Sequence, residues 1–157
     1  MKPQASWQTI ESWLRSNGWF PGRDEEAEAN RLIQWRVEDS ARQGFPLTPS
    51  DEAVRFLRSF ALLEFPLPKD PRRKFVANPT TGYEGDAESI SELAEDLEQG
   101  LFPVGFETVE DGLVLVDELG RFFYLHHTGP YFLGVDQEQA LSSLMTGDQG
   151  AAEDFYA

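Results

Sequence analysis

Leu113-Val114-Leu115-Val116-Asp117-Glu118-Leu119-Gly120-Arg121-Phe122-Phe123-Tyr124-Leu125-His126 is the stretch that decides the fold. Two runs rich in β-branched and aromatic residues, Leu113–Asp117 and Phe122–His126, flank a short turn built on Gly120. A link this short leaves no room for a crossover helix, so the two strands must be antiparallel. The pattern extends in both directions. Phe102–Thr108 precedes, across a turn at Asp111-Gly112, and Tyr131–Leu133 follows, across Gly129. Strands joined by tight glycine turns form a meander of hairpins.

The residues before the meander read as helices. Ser6 caps a helix over about residues 7–17 with Trp7, Ile10, Trp13 and Leu14 on one face, and Gly18 stops it. Asp24 opens a second helix to about Gln43, its first turn crowded with acids that the helix dipole favours. In Thr48-Pro49-Ser50-Asp51, Thr48 is the expected N-cap of a third helix, whose apolar face carries Ala53, Phe56, Leu57 and Phe60. Pro66, Pro68 and Pro71 interrupt the chain before a short strand at Lys74–Asn78, and residues 78–86 read as a loop. Ser89 is the expected cap of a fourth helix ended by Gly100, and Asp136 that of a last helix ended by Gly147. The expectation is an α+β fold: a central antiparallel sheet of about four to six strands, flanked by N-terminal helices and one C-terminal helix. Residues 1–147 read as one domain and residues 148–157 as a polar, acidic tail.

Composition narrows the function. With 40% hydrophobic and 13% aromatic residues, the chain has the material for a core. It has no cysteine, which excludes disulfides, thiolate metal sites and cysteine nucleophiles and fits a reducing cytoplasm. Met1-Lys2-Pro3-Gln4-Ala5-Ser6 leads into an amphipathic stretch, not the apolar core of a signal peptide, and no apolar run approaches the roughly 20 residues that span a bilayer. The net charge of −15 is uneven: residues 1–74 hold 12 bases against 11 acids, net +1, and residues 75–157 hold Arg121 alone against 17 acids, net −16. Such a field repels nucleic acid and anionic membrane and attracts basic partners, although it also serves solubility.

Catalytic chemistry is not announced. His126 and His127 are adjacent on a strand, which places them on opposite faces. There is no HExxH, GxSxG, phosphate-binding glycine loop or EF-hand loop; Asp24-x-Glu26-x-Glu28 has Ala29 where a calcium loop needs glycine. No catalytic, cofactor or metal residue is therefore assigned. Arg72-Arg73-Lys74, the one basic cluster, reads as a solvated loop. Tyr83, in a glycine-rich acidic loop with Glu84 and Asp86, and Phe106, beside Glu107, Glu110 and Asp111, have the character of aromatic anchors ringed by polar groups. These seven are the candidate partner-binding residues.

The order of short motifs carries a resemblance. Gly18-Trp19-Phe20-Pro21-Gly22-Arg23 follows the first helix, and Phe75-Val76-Ala77-Asn78-Pro79 leaves the first strand. Phe102-Pro103-Val104-Gly105 enters the sheet, Asp117-Glu118-Leu119-Gly120-Arg121 forms a bend, and Ala140-Leu141-x-x-Leu144-x-x-Gly147 ends the series. Over residues 7–147 the chain resembles the SUKH superfamily, specifically its third branch of bacterial immunity proteins. The resemblance implies a non-enzymatic protein that binds and neutralises a toxin domain, of which many are nucleases with basic surfaces. A regulatory or scaffold module of the same fold is the alternative. Gly18, Trp19, Pro21, Gly22, Arg23, Pro103, Gly105, Asp117, Gly120 and Arg121 then look structural. The chain departs from the family at Ala61-Leu62-Leu63, where Gly-Gly-Leu is usual, and at Asn78, where Asp is common. The oligomeric state is left open by the sequence.

Overall fold

A computed structural model describes residues 4–157. The start at Met1-Lys2-Pro3, part of the argument against a signal peptide, lies outside the described residues. Among them, no helix is long and apolar enough to cross a membrane.

The chain is α+β. Helices α1 (Trp7–Ser16), α2 (Glu26–Arg42) and α3 (Asp51–Phe60) come first, followed by hairpin β1 (Glu64–Leu67) and β2 (Asp70–Val76). Helix α4 (Asp86–Leu97) leads into β3 (Leu101–Glu107), β4 (Leu113–Asp117), β5 (Phe122–His126) and β6 (Gly129–Gly134). Helix α5 (Gln137–Thr146), strand β7 (Gly150–Ala151) and a 3₁₀ turn (Ala152–Phe155) end the chain. All seven strands form one antiparallel sheet in the order β1 to β7.

That is one strand more than the upper end of the expected range, and the additions are at the two edges. Prolines 66, 68 and 71 had argued against a strand, but Pro66 lies in the edge strand β1, where a missing N–H costs no ladder bond, Pro68 lies in the turn, and Pro71 lies at the irregular start of β2, where it has no register partner. Its free side is used by α1, since Trp13 Nε1 donates to the Pro66 carbonyl at 2.9 Å. At the other edge, residues 148–157 are not a detached tail. Gly150 and Ala151 pair with Phe132 and Tyr131, Ala152 is buried, and the Phe155 ring stacks on Phe132 at 4.0 Å.

Aromatic contacts place the layers. Phe56 of α3 meets Phe75 and Phe122, whereas Phe155 meets Phe123 and Phe132. Phe122 and Phe123 are consecutive in β5 and point to opposite faces, so α3 and the C-terminal turn cover opposite sides of the sheet.

Two of the expected helix caps hold: Ser6 Oγ accepts from the Thr9 N–H and Asp136 Oδ1 from the Gln139 N–H. Others move. Ser50, not Thr48, caps α3 by accepting from the Ala53 N–H at 3.1 Å. Helix α2 begins at Glu26, because Asp24 is drawn into an ion pair with Arg58, whose Nε donates at 2.8 Å. Helix α4 begins at Asp86, three residues before the expected Ser89, because the Asp86 carboxylate has a buried partner described below.

The motif residues tie elements together. Arg23 donates from Nη1 to the Ser59 carbonyl at 2.7 Å and from Nη2 to the Ala61 carbonyl at 3.0 Å, closing the end of α3. Trp19 donates from Nε1 to Ser59 Oγ and stacks on Phe60. Buried Asp117 accepts from the N–H groups of Leu119 and Arg121 and from Arg121 Nε, fixing the β4–β5 bend. Gly105, at a bulge in β3 after Pro103, sits where an added Cβ would lie 2.4 Å from the Val76 carbonyl oxygen. The departures are absorbed locally. Leu62 adopts φ of 65°, the left-handed conformation a glycine takes freely, and Asn78 Oδ1 accepts from the Thr80 N–H as an aspartate would.

Candidate partner-binding surface

The seven residues expected to bind a partner fall into two groups on different elements. In the first, Asp86 is the opening residue of α4 and is wholly buried. Arg36 of α2, itself 1% exposed, donates to it from Nη2 at 2.6 Å and from Nη1 at 3.2 Å. Gln43 Nε2 and the Tyr83 N–H also donate to it. A Cβ on Gly82 would meet Asp86 Oδ2 at 1.9 Å, so the loop passes directly over the pair. Asp86 is thus corrected from a surface contact to the post that holds the loop to α2 and α4. The loop presents Tyr83, 46% exposed, and Glu84, which lies 3.6 Å from Arg42.

In the second group, Phe106 is half-buried against the core, while Glu110 and Asp111 are exposed on the β3–β4 turn. Glu107 is buried, which again corrects a surface expectation. Its carboxylate accepts from Arg73 Nε at 3.0 Å and from the N–H groups of Val109 and Glu110 at 2.8 Å each. Burial alone pushes its pKa up, but these donors outweigh burial and hold it below the ordinary glutamate value. Arg73 is therefore not a solvated loop residue. It lies in β2, and alternation along the strand turns it towards Glu107 while Arg72 stays exposed. Among the described residues, no hydrogen bond or ion pair joins the first group to the second.

The second group borders a cleft of about 410 Å³ between the strand ends and the C-terminal end of α5. Its polar lining includes Arg73, Glu107, Glu110, Tyr124, His126 and Tyr131, with Leu67, Leu133 and Leu144 as apolar walls. The sheet register puts Tyr124 opposite Tyr131. The His126 ring stacks on Tyr124 at 5.8 Å with 13° between planes. His126 Nδ1 is 2.8 Å from Thr128 Oγ1, which is 2.7 Å from the Tyr131 hydroxyl. Its Nε2 is 2.8 Å from Glu110 Oε2 but lacks the alignment of a hydrogen bond. Burial, followed by the nearby Glu107 charge, pushes the Tyr124 hydroxyl well above the ordinary tyrosine range, so it stays protonated.

Reading the sequence had not brought Arg73, Tyr124, His126 and Tyr131 together. The available signal was the period-two series Phe122, Tyr124, His126, which shares one face of a strand. The two histidines are not on opposite faces. Strand β5 ends at His126, alternation lapses at the turn, and the rings lie 3.9 Å apart. Among the described residues, no group of three or more His, Asp or Glu side chains converges to hold a metal.

The uncompensated charge lies elsewhere. Acids of the first half mostly pair with bases, some along their own helices, as in Glu11–Arg15, Glu28–Arg31, Asp39–Arg42 and Glu52–Arg55, and others across elements, as in Asp24–Arg58. In α4 and just after it, Glu88, Glu92, Glu95, Asp96 and Glu98 are exposed, and among the described residues none forms an ion pair with a base. The C-terminal segment brings Glu153 and Asp154 to the same region, because the Ala157 N–H donates to the Asp96 carbonyl at 2.9 Å.

Set against known families, the sequence model of the SUKH-3 immunity proteins matches residues 7–147. The chain belongs to the SUKH-3 immunity protein family. Membership implies toxin neutralisation and a protein toxin as partner. No curated protein and no solved structure matches the chain. The match ends at Gly147, so β7 and the Phe155 turn of this SUKH-3 chain lie outside the shared region.

Proposed function

We propose that this chain binds a cognate toxin domain, by preference a nuclease with a basic substrate surface, and holds it inactive without any catalysis of its own. The family match carries the reading. The charge distribution supports its finer part: an exposed acidic face along α4 meets a basic surface with complementary potential, which speeds encounter and fixes orientation. The surface that binds comprises Tyr83, Glu84, Glu110 and Asp111 together with the outer face of α4. The chain acts in the cytoplasm, where an incoming nuclease finds its substrate.

The test is retention and inhibition. The tagged protein is used to recover partners from lysate of its own source, and the recovered chain is assayed alone and with this protein. Recovery of a toxic chain whose activity falls at equimolar ratio is the expected result. Reversing Glu88, Glu92 and Glu95 to Lys is then expected to slow association and to flatten its dependence on salt. Recovery of non-toxic cellular proteins, with no inhibition, overturns the reading in favour of a scaffold.

A further inference from the structure

We propose that the cleft between the β3–β4 turn and the C-terminal end of α5 is the seat of one arginine side chain from the partner. The inference takes the source of that arginine from the toxin-binding reading, but the chemistry of the seat stands on its own residues.

Three observations converge. His126 keeps only 7% of its side chain exposed, lines the cleft, and has a buried Nε2 with no hydrogen-bond partner among the described residues. A buried polar atom left unsatisfied costs free energy comparable to a lost hydrogen bond, so it marks a place where a partner belongs. Next, Glu110 stands beside it with 43% of its side chain exposed. Arg73 Nη2 is 3.7 Å from Glu110, beyond hydrogen-bond reach, because Arg73 commits Nε to Glu107. In one neutral tautomer, Nε2 and Glu110 Oε2 are two acceptors 2.8 Å apart, which need a shared donor. In the other, the misaligned N–H leaves the carboxylate with open acceptor capacity. Both neutral tautomers leave room for a donor entering from the cleft. Finally, the walls are flat: Tyr124 and His126 are stacked, and Tyr131 faces Tyr124 across the register.

Charge selects the occupant. Around the His126 ring the ionised lining groups are Arg73 against Glu107 and Glu110, an excess of one negative charge. An anion is repelled, and an apolar side chain leaves both Nε2 and Glu110 unsatisfied. A guanidinium offers five N–H donors in a plane, pairs with a carboxylate and lies flat on aromatic rings, whereas a lysine ammonium lacks the flat face.

The probe is N-acetyl-arginine amide, titrated into the isotope-labelled full chain and followed by NMR of the His126 imidazole and the Tyr124 and Tyr131 rings. N-acetyl-citrulline amide, neutral and nearly isosteric, and N-acetyl-lysine amide are the controls. The arginine probe is expected to give saturable shifts centred on these three rings. Binding should weaken about fivefold or more for citrulline, and likewise in Glu110→Gln. Absence of a saturable response overturns the inference, as does equal response to citrulline or an unchanged response in Glu110→Gln. An unchanged urea midpoint for Glu110→Gln shows that its loss of response is not unfolding. The immunity reading is tested apart from this: toxin inhibition with no arginine response refutes the seat alone, while an arginine response with no toxin inhibited supports the seat and refutes immunity.

Discussion

Replacing Asp86 by Ala removes one half of the ion pair between α2 and α4. Asp86 is fully buried and Arg36 keeps 2% of its side chain exposed, so solvent cannot take over the released guanidinium. Removing one partner of such a pair costs about 3–5 kcal/mol, most of it the penalty of an uncompensated buried charge. Asp39 Oδ2 remains 3.4 Å from Arg36 Nη1, which sets the expectation at the low end, about 3 kcal/mol. For a chain of 157 residues that is a fall in Tm of about 6–12 °C. It also lowers the urea midpoint by about 1.5 M for a typical slope near 2 kcal/mol per molar. The assay is urea unfolding followed by tryptophan fluorescence, with Arg36→Met and Arg36→Met/Asp86→Leu completing a double-mutant cycle. The apolar double variant is expected to recover more than half of the loss. A cost below about 1 kcal/mol for Asp86→Ala refutes the argument that burial makes this pair structural. A double variant as unstable as the single one refutes it equally.

Truncation after Gln149 removes β7 and Phe155 and uncovers Phe123 and Phe132; urea unfolding should show a loss of about 2–4 kcal/mol, whereas a detached tail leaves the midpoint unchanged. Gly105→Ala drives a Cβ to 2.4 Å from the Val76 oxygen and 2.5 Å from Phe75 Cε1, so its thermal unfolding should reveal a loss of about 1–3 kcal/mol or more. The Glu107 carboxyl has a lowered pKa in the folded chain, so its contribution is present above the ordinary glutamate value and is lost as pH falls through the folded value. The Val109 and Glu110 amides, which donate to it, should lose hydrogen-exchange protection as pH falls through that folded value; protection that stays flat down to the onset of acid unfolding contradicts the assignment.

Much of the fold was legible because it is written locally. The turns at Asp111-Gly112, Gly120 and Gly129 and the caps at Ser6 and Asp136 depend on residues within a few positions of one another. The missed strands depend on context. Pro66 reads as a strand breaker until β1 is known to be an edge, and Gly150-Ala151 is a strand only because Phe132 and Tyr131 lie beside it. Thr48 and Ser50 carry the same capping chemistry, and only the path of the chain decides between them. The site was less legible for the same reason. Asp86 and Glu107 look like surface acids in sequence, and are buried because Arg36 and Arg73 come from 50 and 34 residues away. Tyr124, His126 and Tyr131 form a wall only once β5 and β6 are paired in their actual register.

The order of the sheet bears on how quickly the protein is ready. Strands lie side by side in the order in which the ribosome makes them, so each new strand finds its template already in place. Contacts near in sequence form fast, whereas distant ones wait on loop closure. One closure spans nearly the whole chain: α1 packs on α5, and the Ala5 N–H donates to Ser142 Oγ, 137 residues on. The sheet can therefore grow strand by strand, whereas joining α1 to α5 waits until the chain has been made as far as Ser142.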